Sequence, residues 1–164
     1  MRLCSPKDRF DKKDIIRILT ELQFPYNKPE VDQWIWEVDE DLDGSINEYE
    51  FTLMYKRCIF DRTGLEPRNL FNLVQFLMYD LAGRCKITVE DTLELIYVRH
   101  PEQLEAHLFD IFGEKEKTED GQEREVLYEE YLKQMRKCDL ERRKRLEEER
   151  KTVTKVALKK DAEN

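Results

Sequence analysis

The chain has 164 residues, 40% of them hydrophobic and 40% charged, and a formal net charge of −8. That length can bury one or two small cores, and its polarity excludes a membrane protein, because no apolar run approaches the roughly 20 residues of a span. Residues 1–135 hold 18 basic and 30 acidic groups, giving −12, whereas residues 136–164 hold 11 and 7, giving +4. An acidic body argues against nucleic-acid binding and suits cation ligation or a basic partner. A basic tail suits an acidic surface such as a microtubule, or another subunit, and can equally be a solvated helix.

From the N-terminus, Met1 to Asp8 matches neither a signal peptide nor a myristoylation motif, so a cytoplasmic location is expected. Cys4, Cys58, Cys85 and Cys138 form no C-x-x-C pair, which favours free thiols in a reducing compartment. Ile15, Ile16, Ile18, Leu19 and Leu22 predict a first helix, and Pro25 and Pro29 mark the link onward. Val31, Trp34, Ile35 and Val38 then fall at i, i+3, i+4 and i+7, one face of a helix turned to a core. Trp36 lies on the opposite side, where it meets either a partner or the chain's own linker or tail.

Residues Asp39 to Glu50, D-E-D-L-D-G-S-I-N-E-Y-E, carry the most specific chemistry. A hard cation such as calcium takes several oxygen ligands, and a twelve-residue loop supplies them at alternate positions. Asp39, Asp41 and Asp43 stand at positions one, three and five, Ser45 offers its backbone carbonyl at seven, and Asn47 serves directly or through water at nine. Glu50 closes the site with two oxygens. Gly44 at position six permits the sharp turn, and Ile46 at eight is expected in the core. The expected cofactor is one Ca2+, with Mg2+ as the competing ion.

Phe51, Met54 and Tyr55 continue an apolar face beyond the loop, and Thr63-Gly64-Leu65-Glu66-Pro67 breaks it. Leu70, Phe71, Leu73, Val74, Phe76, Leu77, Met78 and Tyr79 are too apolar all round to leave one side in water. Lobe-core burial covers one face; the other requires a binding groove, an interface with the first lobe, or the tail folding back. Leu93, Ile96, Tyr97 and Val98 predict a further helix, His100-Pro101 starts a new segment, and Leu104, Leu108, Ile111 and Phe112 follow. His100 and His107 read as surface or cap residues. From Leu127 a helical pattern runs into the charged tail, where Glu141 and Arg145 are spaced for an ion pair. Leu140, Leu146 and Val153 are too sparse for a strict coiled-coil seam, so the tail stands alone, lies on a partner, or frays.

On the loop at 39–50 and its flanking helices, the sequence resembles the EF-hand superfamily of calmodulin-like proteins over roughly residues 1–135. The resemblance implies an all-α fold: an N-terminal lobe at 1–62, a degenerate C-terminal lobe at 63–135, and a charged helical tail at 136–164. Hands of this family pair through short β-bridges at position eight, which places Phe10 opposite Ile46 and leaves a half hand whose ligand positions hold Leu3, Ser5, Lys7 and Asp11. Aligning Ile87 at position eight puts Asp80 first, Arg84 fifth, Cys85 sixth and Asp91 twelfth, a disabled loop. Val126, Glu130 and Tyr131 match Ile46, Glu50 and Phe51 only with residues inserted after Phe112, so the fourth hand is expanded. A second metal set of Glu119, Asp120, Glu123 and Glu130 is the weaker expectation beside an acidic surface loop.

These features imply a noncatalytic calcium-binding subunit that grips a helical or coiled-coil partner, with neither nucleic acid nor membrane as ligand. Eight Phe and seven Tyr against four Met suit one dedicated partner more than promiscuous binding. The segment D-R-T-G-L-E-P-R-N-L-F, followed by F-L-M-Y-D, is similar to the calmodulin-family subunits of axonemal outer dynein arm docking complexes, which implies a ciliary address. The alternative is a free cytosolic calcium sensor that binds an enzyme only when loaded. No phosphate-cradling glycine loop, nucleophile motif or zinc constellation suggests an enzyme.

Overall fold

The computed structural model describes residues 9–113 and 123–162, with side chains to residue 152. The described chain is helical, with two short antiparallel strand pairs. Strand β1 (Arg9–Asp11) leads into α1 (Lys12–Glu21), α2 (Lys28–Trp36) into β2 (Ser45–Asn47), and β2 into α3 (Glu48–Phe60). Then come α4 (Asn69–Tyr79), β3 (Lys86–Ile87), α5 (Val89–Arg99), a 3-10 turn at Pro101–Gln103, α6 (Leu104–Phe112), β4 (Val126–Leu127) and α7 (Tyr128–Ala162). No helix among the described residues is long and apolar enough to cross a membrane.

Strand β1 pairs with β2 so that Phe10 faces Ile46, and β3 pairs with β4 so that Ile87 faces Val126. All four side chains are buried. Each of β1, β2 and β3 hands the chain directly to a helix through a capping box: Asp11 with Asp14, Asn47 with Glu50, and Thr88 with Asp91. In each box the cap side chain accepts the N3 backbone N–H and the N3 carboxylate accepts the cap's own N–H, so donors that a helix start leaves orphaned are satisfied. The sequence expectation of Phe10 against Ile46 matches the observed register.

The buried side chains form one core running from Phe10 to Leu132. Leu70 to Leu77 are all buried, including the polar Asn72 and Gln75, so α4 is covered on every side. Its second cover is the first half of the chain together with the start of α7. Tyr55 of α3 packs on Phe71 with ring centroids 5.4 Å apart, and its hydroxyl accepts from Gln75 Nε2 at 2.7 Å and Arg99 Nη1 at 2.8 Å. Phe24, between α1 and α2, meets Tyr128 edge-on at 5.0 Å, and Tyr128 in turn meets Phe76 at 5.2 Å. Of the three covers the sequence left open, the interface with the first half is observed, and the start of the expected tail also reaches α4, where Arg136 donates to Asn69.

The segment between α3 and α4 is tied down rather than loose. Asp61 Oδ1 accepts from Thr63 N (2.7 Å), Thr63 Oγ1 (2.7 Å) and Gly64 N (2.9 Å), while Oδ2 takes Glu66 N and Arg68 at 3.4 Å each. Arg68 also donates to the Cys58 carbonyl at 2.8 Å and lies 3.6 Å from Asp139 of α7. Gly64 has φ +71°, and a Cβ there would meet Arg143 Cγ at 2.8 Å, so any other residue would strain the turn and push the Arg143 side chain aside. Helix α7 is thus continuous through residue 136, the expected start of the tail, and its contacts with the body reach Arg143.

Tyr128 is buried and its hydroxyl has no hydrogen-bond partner among the described residues, so Tyr128→Phe is expected to raise the unfolding free energy by about 0.5–1 kcal/mol, read by urea denaturation; a loss of stability would reveal a bond to the hydroxyl. Burial opposes ionisation of Asp61, but the bonds from Thr63, Gly64 and Glu66 overcome it and hold its carboxyl at about 2 against an ordinary 3.8. A lowered folded value stabilises above the unfolded pKa and is lost as pH falls through the folded one. The stability gap between wild type and Asp61→Asn should be constant above about pH 4 and close between about pH 4 and 2.

Candidate metal centre

The loop at 39–50 is held between α2 and α3 by its own carboxylates. Asp39, just past the end of α2, accepts from Asp43 N at 3.1 Å through Oδ1 and from Gly44 N at 2.8 Å through Oδ2. These bonds turn the chain, and Gly44 takes φ +82°, a conformation that strains any L side chain even though nothing lies within 4 Å of a Cβ built there. Asp41 Oδ1 accepts from Asp43 N at 3.2 Å. Asp43 Oδ1 accepts from Ser45 N at 2.8 Å and Ser45 Oγ at 2.6 Å. The Asp39, Asp41 and Asp43 carboxylates converge, one oxygen of each lying within 4.8 Å of the others.

Of the six residues expected to ligate a cation, those three come together. Glu50 is buried at 2% exposure; its Oε1 accepts from Glu40 N at 2.9 Å and its Oε2 from Asn47 N at 3.0 Å. Asn47 Oδ1 accepts from Glu50 N at 3.1 Å, and Ser45 sits in β2 opposite Asp11. Glu50 and Asn47 thus serve the backbone of the loop and of α3, within the same twelve residues as the aspartate cluster.

The electrostatics reflect crowded anions. Partial desolvation pushes the Asp41 carboxyl up, and repulsion from Asp43, Glu50 and Asp39 adds to it against the bond from the Asp43 N–H. Asp43 moves the other way: the Ser45 hydroxyl first, then the Ser45 N–H and the Arg9 guanidinium, hold it below the ordinary carboxylate range. Arg9 Nη1 lies 2.8 Å from Asp43 Oδ2. Sequence reading missed Arg9. The signal was present in the strand register, which sets residue 9 across from Asn47. The three converging aspartates, with Arg9 on one of them, form an all-oxygen group that could hold a metal ion.

The remaining candidates lie elsewhere. Arg84 Nη2 is 2.5 Å from Asp91 Oδ2, which places a guanidinium on the carboxylate expected to close the loop at 80–91. Glu130 pairs with Arg124, Glu123 Oε1 accepts from Glu90 N at 2.9 Å, and Glu119 and Asp120 lie outside the described residues. His100 caps α5 through its N–H to the Ile96 carbonyl at 2.7 Å and stacks on His107 with centroids 4.6 Å apart. Burial, and then the neighbouring His100, push His107 down. Cys58, Cys85 and Cys138 are free, and burial raises the Cys58 and Cys138 thiols to about 11. Trp36 is 70% exposed. A cleft of about 240 Å³ runs between α3 and α4–α7, with Tyr55, Phe71, Tyr131 and Met135 among its walls.

No known protein-family model matches this chain, and no curated protein matches it. What the loop does chemically is therefore read from its own atoms. Ser45→Ala removes the strongest bond that keeps Asp43 ionised, so the Asp43 carboxyl should titrate closer to 3.8 in the variant, as followed by carboxyl-carbon NMR.

Proposed function

We propose that this chain is an EF-hand protein of two lobes, with one calcium site at 39–50, acting as a noncatalytic subunit that grips a helical or coiled-coil partner. The observation that carries the reading is the convergence of Asp39, Asp41 and Asp43 inside a helix-flanked loop whose eighth residue, Ile46, is paired across a two-stranded sheet. Asp39, Asp41, Asp43, Asn47 and Glu50 would hold the ion with their side chains and Ser45 with its carbonyl; the ion would supply the positive charge that four crowded carboxylates lack.

The second strand pair, Ile87 with Val126, supports a second lobe of the same plan. The arginine on Asp91 supports a loop there that takes no ion. A lobe that keeps its packing without a site favours a constitutive scaffold over a steep switch, and the cleft beside α3 with exposed Trp36 offers surfaces for a partner. The linker residues that resemble docking-complex subunits, Asp61, Thr63, Gly64, Glu66 and Arg68, all bond within the clasp between the halves, so the likeness falls on residues with a structural task. The proposed location is the cytoplasm, with a ciliary axoneme address suggested by that likeness alone and the basic tail suited to an acidic surface such as the microtubule.

Calcium at about 100 times its dissociation constant should raise stability by roughly 2.7 kcal/mol, seen as a rise in Tm, and Glu50→Gln should abolish the rise. If the variant's Tm still climbs with calcium, the site is elsewhere. Partner retention in a chelator pull-down is the expected result; complete release would point instead to a calcium sensor that engages its target only when loaded.

A further inference from the structure

The cleft of about 240 Å³ between α3 and α4–α7 falls short of the roughly 300–1,000 Å³ of a small-molecule pocket, and it is long. Along α7 its wall is Tyr131, Met135, Cys138, Asp139 and Arg142. These recur at i, i+4, i+7, i+8 and i+11, one helix face about 16 Å in length at 1.5 Å per residue. Tyr55 and Ile59 of α3 and Phe71 of α4 line it as well. A trough of that length and volume suits one or two side chains of a segment laid along α7 more than a compact ligand.

Charge in the cleft runs against charge in the body. Residues 1–135 carry −12, yet the acidic groups of the cleft are already engaged by the chain itself. Asp61 accepts from Thr63, Gly64 and Arg68, and its side chain is 2% exposed. Asp139 lies 3.6 Å from Arg68 and 3.3 Å from Arg142, and Asp110 accepts from the Cys138 thiol. Arg99 differs. It is exposed, and its partners are neutral: Nη1 donates to the Tyr55 hydroxyl at 2.8 Å, Nη2 to Met78 Sδ at 3.9 Å, and the guanidinium carbon lies 6.0 Å from the centroid of the Tyr55 ring. No carboxylate pairs with it among the described residues. The Tyr55 hydroxyl is held in turn by Gln75 of buried α4 at 2.7 Å, so the guanidinium is ordered before any ligand arrives. Its planar fork matches a carboxylate. Net charge on the rest of the body is screened beyond about 8 Å at physiological salt, so the groups at the cleft decide what seats there.

We propose that this cleft is the docking groove for an acidic segment of a protein partner: an apolar side chain enters beside Tyr55, Phe71 and Met135, and a neighbouring Asp or Glu pairs with Arg99. The proposal rests on the reading that the chain grips a protein partner and is independent of calcium.

Selection of peptides from a random display library against the full chain, with chelator present, tests it. Enriched peptides should carry Asp or Glu within one helical turn of Leu, Phe or Trp. Synthetic copies of them should bind Arg99→Gln about five- to tenfold more weakly than wild type, the size of a partly exposed charge-assisted bond. Repeating the selection on Arg99→Glu should enrich Lys or Arg at the same place. Tyr55→Phe keeps the ring and removes the hydroxyl that orders Arg99, so it should weaken binding by about threefold. Arg99 is at the surface, and circular dichroism should show both of its variants folded as wild type. Predominantly basic peptides, peptides that bind wild type and both Arg99 variants equally, or no enrichment at all would overturn the proposal. The subunit reading is judged separately by the chelator pull-down, which does not depend on Arg99.

Discussion

The antiparallel pairings of Phe10 with Ile46 and of Ile87 with Val126 constrain the placement of nearly every other element. Each of these residues is buried in a strand of two or three residues, and each strand runs into a helix with no intervening turn. Strand register thereby sets helix phase. In α1 the phase set at Asp11 turns Ile15, Ile18 and Leu19 inward; in α3 the phase set at Asn47 buries Glu50, Met54 and Cys58. A slip of one residue would turn Ile46 outward and bury Ser45, reversing every side chain in the pair. The segments at 39–50 and 80–91 follow from the same register, because Glu50 and Asp91 are the third residues of α3 and α5.

The two halves share a core because their apolar surface exceeds what either buries alone. Helix α4 has no polar face to give to water, so α3, α7 and the α1–α2 link close over it. Tyr55 and Tyr128 do this with rings on both sides of the divide. Around them the linker from Asp61 to Arg68 is fixed by hydrogen bonds to one buried carboxylate and by the ion pair to Asp139. Relative motion of the halves would have to break that carboxylate's bonds and expose aromatic surface together, which couples linker chemistry to core packing.

Charge then distinguishes loops of equal geometry. The first-position aspartates, Asp39 and Asp80, accept the same two backbone N–H groups and turn the chain in the same way. Beyond that point one loop gathers anions and the other pairs them internally. The turn in each loop therefore depends on donors and acceptors within it and not on whether the fifth residue is an aspartate or an arginine.

Local rules were enough for much of this. Apolar spacing at 31–38, the punctuation at Thr63-Gly64, the uniform hydrophobicity of α4 and the alternation of oxygens along 39–50 are all properties of neighbouring residues, so the sequence by itself determined the helices and the candidate cation loop, whereas the pairing of Phe10 with Ile46 came from the family resemblance. The sequence did not disclose Arg9 on Asp43, Arg124 on Glu130, or Asp139 on Arg68, and it left open which surface covers α4. Those contacts join residues whose separation along the chain carries no periodic signal, and long flexible side chains choose partners only after the backbone has placed them. Tertiary structure decided them because burial removes the competing water, and a charge left without its partner there costs more than the side-chain entropy lost in finding it.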